Sequence, residues 1–434
     1  MKDIVKEIPN KIDYEKYVLS NGLTVVLVPD KKLLTVLVDM FVKVGSQYEP
    51  DNIAGISHFL EHMSFKGTTT HPTNLELIMP LDSVGSSYNA GTGFDMTDYY
   101  VMCGHQFIDR AVNFISDIFQ NSIFPEVEFE REKGVVLEEI RMYEDMPQSK
   151  VEELFFELMY GKQGAGRSIA GSEKTVKGTT RKNMLDYYHK YYGTKNAYLF
   201  IGGNFDKKEA KKLISKYFKK AKPGKSFSYP KTRINQKSPR ILMFKKDTKE
   251  THFILGFHGF PLFNEKNYTL NIIDELLSGG FASRLWQLVR EKLGGAYYIN
   301  SSIESFLDRG IFIVRGGIYS SRAEIILSEI VKEVKSLKEK LISKEELEKV
   351  KNYIIGKLFM KMDQPYNLKD YLILPTLYNK PVKTPKQELE KILKITPEDV
   401  RKMACKIFTK KNINLAMVTS LEGKEKFLNI LNKI

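Results

Sequence analysis

His58, Glu61 and His62 stand together in the segment HFLEHM. Residues four apart on an α-helix lie one turn apart on one face, so both imidazoles can reach a single metal ion. Glu61 shares that face and is placed to hydrogen-bond a water at the metal. The chemistry this implies is metal-assisted hydrolysis with a carboxylate as general base. The bland reading is a polar stripe facing solvent. A catalytic zinc takes three protein ligands and keeps a fourth position for water, so two histidines need a third partner. The best region for it is FEREKGVVLEEIRMYED, which carries Glu130, Glu132, Glu138, Glu139 and Glu144. Glu132 and Glu139 are seven residues apart and share a helical face about two turns apart. Glu138 is turned off that face by roughly 100°. Spacing alone does not choose between Glu138 and Glu139, and without the histidines the run reads equally as an acidic exposed face.

The elements needed to position these groups can be read around them. YVLSNGLTVVLV is two apolar runs about Asn21-Gly22, a β-hairpin signal, and Thr35 to Val44 alternates as a strand. Gly55 to Phe65 has apolar residues at helical spacing, and Asn74 to Val84 reads as a further helix. Ser86 to Met102 is strand-like with a Gly-rich bend, followed by helices from Gln106 to Phe119 and Glu126 to Tyr143. Helix Lys182 to Tyr192, strand Ala197 to Ile201 and helix Lys207 to Phe218 close this half. Residues 219–240 have linker composition, with Pro223, Gly224, Pro230 and Pro239 among lysines and serines. Beyond them strands Ile241 to Phe244 and His252 to Phe257, a long helical stretch Asn264 to Leu293, and strands Tyr297 to Ser302 and Ile311 to Gly316 repeat a similar order. Strand Ile413 to Val418 and helix Lys424 to Leu431 echo the end of the first half. The expected fold class is α+β: two homologous sandwich-like halves, residues 1–218 and 241–434, each a mostly antiparallel sheet with packed helices.

Composition fits such a chain. The 434 residues, 42% hydrophobic and 28% charged, bury a sizeable core without staples. Cys103 and Cys405 cannot make a disulfide framework or a multi-cysteine metal site. The polar start MKDIVKEIPNKIDYEKYV lacks the apolar core of a signal peptide, and no stretch is apolar enough to span a membrane. A cytoplasmic location is expected. The net charge of +14 raises the question of a polyanion or membrane surface. Its lysines read as scattered over helical faces, so neither nucleic acid nor membrane is expected as a partner. His71, His105, His189, His252 and His258 have no paired carboxylate spacing and read as structural. The cluster YYHKYY, late in an amphipathic helix, reads as packing.

HFLEHMSFKGT followed by VVLEEIRMYED resembles the pitrilysin (M16) family of zinc metallopeptidases, with the inverzincin order H-x-x-E-H. The resemblance is strongest to its short bacterial members and to the β subunit of mitochondrial processing peptidase. It implies one zinc per chain held by His58, His62 and Glu139, with Glu61 as general base and Glu132 in support. A second carboxylate fixing a ligand imidazole in its tautomer is the physical reason for Glu132. SYNAGTGFDMTDYY is similar to the family's substrate strand, which places Asn89 and Ala90 beside the cleaved peptide; Gly91 and Asp95 depart from the family pattern there. GRSIAGSEKTV looks like a structural landmark. SRLWQLVREKLGGAYYI resembles the family's carboxy-terminal signature, so that Arg290 and Tyr297 hold substrate carbonyls and Tyr297 stabilises the oxyanion. Without the resemblance, Arg290 is a surface charge on an amphipathic helix and Tyr297 a core aromatic. Because one chain carries both parts, the resemblance implies a homodimer with shared sites, enclosing a chamber for short or unfolded peptides. The alternative is a catalytically silent structural subunit of the same family.

Overall fold

The computed structural model describes residue 8, residues 11–362 and residues 368–434. Up to residue 10, and Ile8 apart, the polar amino-terminal stretch lies outside the described residues. Two sheets organise the rest. The first runs β1 (Glu15–Val18), β2 (Thr24–Pro29), β3 (Thr35–Val42), β4 (Ser87–Thr92), β5 (Thr97–Gly104) and β6 (Ala197–Gly203), in the spatial order β1-β2-β6-β3-β5-β4. The second holds β7 (Arg240–Lys245), β8 (Glu250–His258), β9 (Ala296–Ser305), β10 (Gly310–Tyr319) and β11 (Ile413–Thr419), in the order β7-β11-β8-β10-β9. Both are mostly antiparallel, with parallel pairs β2–β6 and β7–β11.

The helices of the first half are α1 (Ile56–Met63), α2 (Asn74–Asp82), α3 (Ile108–Asn121), α4 (Glu126–Asp145), α5 (Pro147–Tyr160), α6 (Glu173–Gly178), α7 (Arg181–Tyr191) and α8 (Lys207–Phe218). Those of the second are α9 (Lys266–Ser278), α10 (Ala323–Glu339), α11 (Lys344–Met362), α12 (Leu368–Leu377), α13 (Pro385–Leu393), α14 (Pro397–Ile407) and α15 (Lys424–Leu431). Several starts are set by local chemistry: Thr180 and Thr396 close capping boxes on α7 and α14, and Asp206 accepts two backbone N–H groups of α8. No helix among the described residues is long and apolar enough to cross a membrane.

Period-two alternation explains the layers. In β3, Val36, Val38, Met40 and Val42 face a core shared with α1, α3, α4, α7 and α8, while Leu37 and Phe41 face the opposite side. That opposite side is covered by Leu372, Ile373 and Leu377 of α12, a helix of the second half. The exchange is mutual. Val151, Leu154, Phe155 and Met159 of α5, in the first half, cover Ile254, Ile313, Ala416 and Val418 of the second sheet.

Two sequence expectations are corrected. The helical stretch Asn264 to Leu293 is interrupted: α9 stops at Ser278, Gly280 takes φ +84°, and the chain resumes as a π-helix over Trp286–Lys292. A left-handed glycine cannot continue an α-helix, so the break falls there. The residues between α8 and β7 form no regular element but are not loose. Gln47 donates to Pro230 O (2.6 Å), Thr232 N to Asp308 Oδ2 (2.5 Å), and Tyr229 to Asp95 Oδ1 (2.6 Å). Buried Arg309 donates to Gln47 Oε1 (2.6 Å) and to the Tyr229 hydroxyl (2.8 Å), tying this segment to both halves.

Candidate active site

Helix α1 begins at Gly55, whose φ of +95° turns the chain into the first turn. The Glu49 carboxylate accepts the backbone N–H groups of Gly55 and Ser57, both at 2.7 Å, and Arg167 holds the Glu49 carbonyl at 2.8 Å. GRSIAGSEKTV thus anchors the start of the motif helix. Ile56, Phe59, Leu60 and Met63 are buried in the core. His58, Glu61 and His62 are thereby left on the face that lines a cavity of about 810 Å³.

Helix α4 packs against α1, with Phe129 against Phe59 at 4.8 Å between ring centres. That contact brings Glu139 to the histidines. The two Nε2 atoms are 3.2 Å apart, and Glu139 Oε2 lies 3.6 Å from His58 Nε2 and 3.4 Å from His62 Nε2. Ligands about 2.0–2.1 Å from a tetrahedral zinc stand about 3.3–3.4 Å apart, so this donor set fits the ion in both chemistry and spacing. Among the described residues it is the one group of three or more His, Cys, Asp or Glu side chains close enough to share a metal. Glu138 points away, exposed and paired with Arg141.

The surroundings stabilise this arrangement. Glu132 Oε1 accepts from His62 Nδ1 at 3.0 Å, and Lys66 Nζ reaches Glu132 Oε2 at 2.6 Å. Tyr143 donates to Glu139 Oε1 at 2.7 Å, fixing its other oxygen toward the histidines. Burial and the neighbouring His62 push His58 down to about 4. Against burial, the carboxylates of Glu132 and Glu139 push His62 up to about 9. The hydrogen bond with His62 holds Glu139 down at about 2, so a carboxylate faces the imidazoles. Burial raises the Glu61 carboxyl, opposed by Thr92, which donates to Glu61 Oε2 at 2.5 Å.

Asn89 and Ala90 lie on β4, at the edge of the first sheet, and line the same cavity. Gly91 lines it too, whereas Asp95 is turned into the contact between the halves with Tyr229. Arg290 and Tyr297 do not line it. Arg290 donates to the carbonyls of Ala296 (3.2 Å) and Tyr297 (2.6 Å) and stacks on Trp286; the Tyr297 ring is half exposed against Tyr319. The second half contributes Glu304 and Phe306 instead. Phe306 and Phe94 meet at 5.3 Å, and Glu152, Glu153 and Phe156 of α5 complete the wall.

Sequence reasoning missed Lys66, Thr92, Tyr143 and this acidic and aromatic wall. Lys66 follows His62 by four residues and Tyr143 follows Glu139 by four, a spacing that could have flagged both. Thr92 and the wall come from distant segments and carry no local signal. His71 does have a carboxylate partner, Asp117 Oδ2 at 2.9 Å, but the two are 46 residues apart and sit with Thr68 and Thr70.

A two-sheet α+β chain with H-x-x-E-H on one helix and the third donor on another defines a class, and the comparisons agree with it. The profile described as insulinase (peptidase family M16) matches residues 24–173, and that described as peptidase M16 inactive domain matches residues 179–354. The chain belongs to peptidase family M16. An uncharacterized zinc protease of Rickettsia felis is 34% identical over 394 residues, covering 90% of this chain and 94% of the relative. The zinc protease YmxG of Bacillus subtilis is 32% identical over 352 residues, covering 80% and 84%. Among solved structures, a protease from Helicobacter pylori matches with a TM-score of 0.88 at 23% identity, covering 94% of this chain and 99% of that one. A chain of Complex III2 from Candida albicans matches with a TM-score of 0.82 at 18% identity, covering 97% and 100%. These two show a shared fold.

Proposed function

We propose that this chain is a zinc-dependent endopeptidase cutting short or unfolded peptides in a chamber enclosed by two copies. The observation that carries this reading is the meeting of His58, His62, Glu139 and Glu61 on one cavity. His58 Nε2, His62 Nε2 and a Glu139 oxygen would hold one zinc per chain. When bound, the ion polarises the scissile carbonyl and brings the pKa of a water it binds to about 7. Glu132 keeps His62 in the tautomer that presents Nε2. Thr92 fixes one oxygen of Glu61, leaving the other to take a proton from the attacking water and return it to the leaving amine. This contributes typically ~10²–10⁴-fold. The free edge of β4 at Asn89 and Ala90 pairs with an extended peptide.

In one chain Arg290 and Tyr297 stand in an exposed aromatic patch with Phe281, Trp286 and Tyr319. This supports a homodimer in which they serve the second copy's cavity, holding substrate carbonyls and the oxyanion. A silent structural subunit would share the fold, but the complete donor set together with Glu61 favours the enzyme. Glu61→Gln tests the assignment: zinc content should stay near one per chain while peptide turnover falls by ~10²-fold or more. Wild-type turnover in that variant would remove Glu61 from the mechanism.

A further inference from the structure

The chain's positive charge is concentrated. Residues 207–225 hold nine lysines against one glutamate, a net +8 of the chain's +14. Most lie on α8, whose Ala210, Ile214 and Phe218 are buried, so the lysines take the outer face. Lys208, Lys211, Lys212, Lys216, Lys219 and Lys220 are exposed. Lys211 pairs with Glu15 and Lys216 with Asp109; Lys212, Lys219 and Lys220 have no ion-pair partner among the described residues.

A second feature adjoins it. The turn Lys31-Lys32-Leu33-Leu34 is pinned to the start of α8, with Asn204 donating to Leu33 O at 2.8 Å and Asp30 N to Gly203 O at 2.7 Å. Leu34 is 81% exposed, and no other large apolar side chain among the described residues is more so.

We infer that this face, made by α8 and the Lys31–Leu34 turn, docks the protein on an anionic phospholipid bilayer. Lysines near such a surface are attracted to its headgroups without specific geometry, and an exposed leucine beside them enters the interfacial layer. All the cations of residues 207–225 are lysine, none the arginine whose planar fork grips nucleic-acid phosphates bidentately. Lys211 of α8 pairs with Glu15 on β1, the sheet edge opposite β4. The Lys31–Leu34 turn enters β3 at its Thr35 end, whereas Thr92 of the cavity is registered through Thr97 with Val42 at the other end, seven residues (about 24 Å) along the strand, so docking leaves the cavity open. The inference departs from the expectation of no membrane partner and is independent of the peptidase reading.

Vesicle flotation of the full chain tests it. Vesicles containing about one-third phosphatidylglycerol should carry the protein at about 0.1 M salt and release it at about 1 M, and pure phosphatidylcholine vesicles should not bind it. Lys212→Glu/Lys219→Glu/Lys220→Glu should lower partitioning about a hundredfold and Leu34→Ser about tenfold, with thermal unfolding unchanged. No flotation with the anionic vesicles, equal binding to neutral ones, or wild-type partitioning of the triple variant would overturn the proposal. So would duplex DNA that displaces the protein from vesicles while Leu34→Ser has no effect, which would assign the face to nucleic acid.

Discussion

Glu138 and Glu139 are chemically alike and adjacent, yet one helical step sends the first to solvent beside Arg141 and the second to the two imidazoles. Glu139→Gln should therefore empty the metal site while Glu138→Gln retains zinc, measured as metal per chain after dialysis; the reverse would move the ligand by one residue. A different carboxyl sets an acid-side stability effect. Burial pushes Asp274 up to about 6, although Ser301 donates to it at 2.5 Å. The folded chain then holds a proton that the unfolded chain has lost between about pH 4 and pH 6. Stability supplied by this group is full below that window and falls by about 3 kcal/mol as pH rises through it. Asp274→Asn should remove that decline, seen as the difference between wild-type and variant unfolding curves against pH. Of the site, His58, Glu61 and His62 were legible because a helix brings local spacing to one face. Glu139 needed family resemblance, since residues separated along the chain meet only through the packing of α4 on α1.

The fit between α5 and the second sheet is close enough to be tested by one methyl group. A Cβ on Gly256 would stand 2.3 Å from the Phe155 ring, which is fully buried. Gly256→Ala should cost about 1–3 kcal/mol by overpacking, read as a lower denaturant midpoint with unchanged slope. Elements with a strong apolar pattern or a cap, such as the continuous run of β2, strand β3, the helically spaced apolar residues of α1 and the Asp206-capped α8, were readable directly. Helix α5 was not read at all, because the surface that makes its apolar residues meaningful belongs to the other half. The Asn264 to Leu293 stretch was read as too continuous, since helical spacing on both sides hid the turn at Gly279-Gly280.

At the scale of the molecule, the duplicated order of elements was legible, but the exchange of α5 and α12 was not, because periodicity does not say which sheet a helix covers. Nor does it place Arg290 and Tyr297, which the folded chain leaves outside its own cavity. If two copies share sites, mixing Glu61→Gln with Tyr297→Phe chains should restore about a quarter of wild-type activity, since half the dimers are mixed and each has one intact site. No rescue after subunit exchange would mean that each chain is self-sufficient.

The helix exchange also bears on synthesis. A ribosome releases β1 to β6 long before α12, so Val26, Val28, Leu37, Phe41 and Phe200 stay wetted while most of the second half is still being translated. For that interval the nascent chain is a sticky, one-sided slab, open to aggregation through that face until translation nears its end.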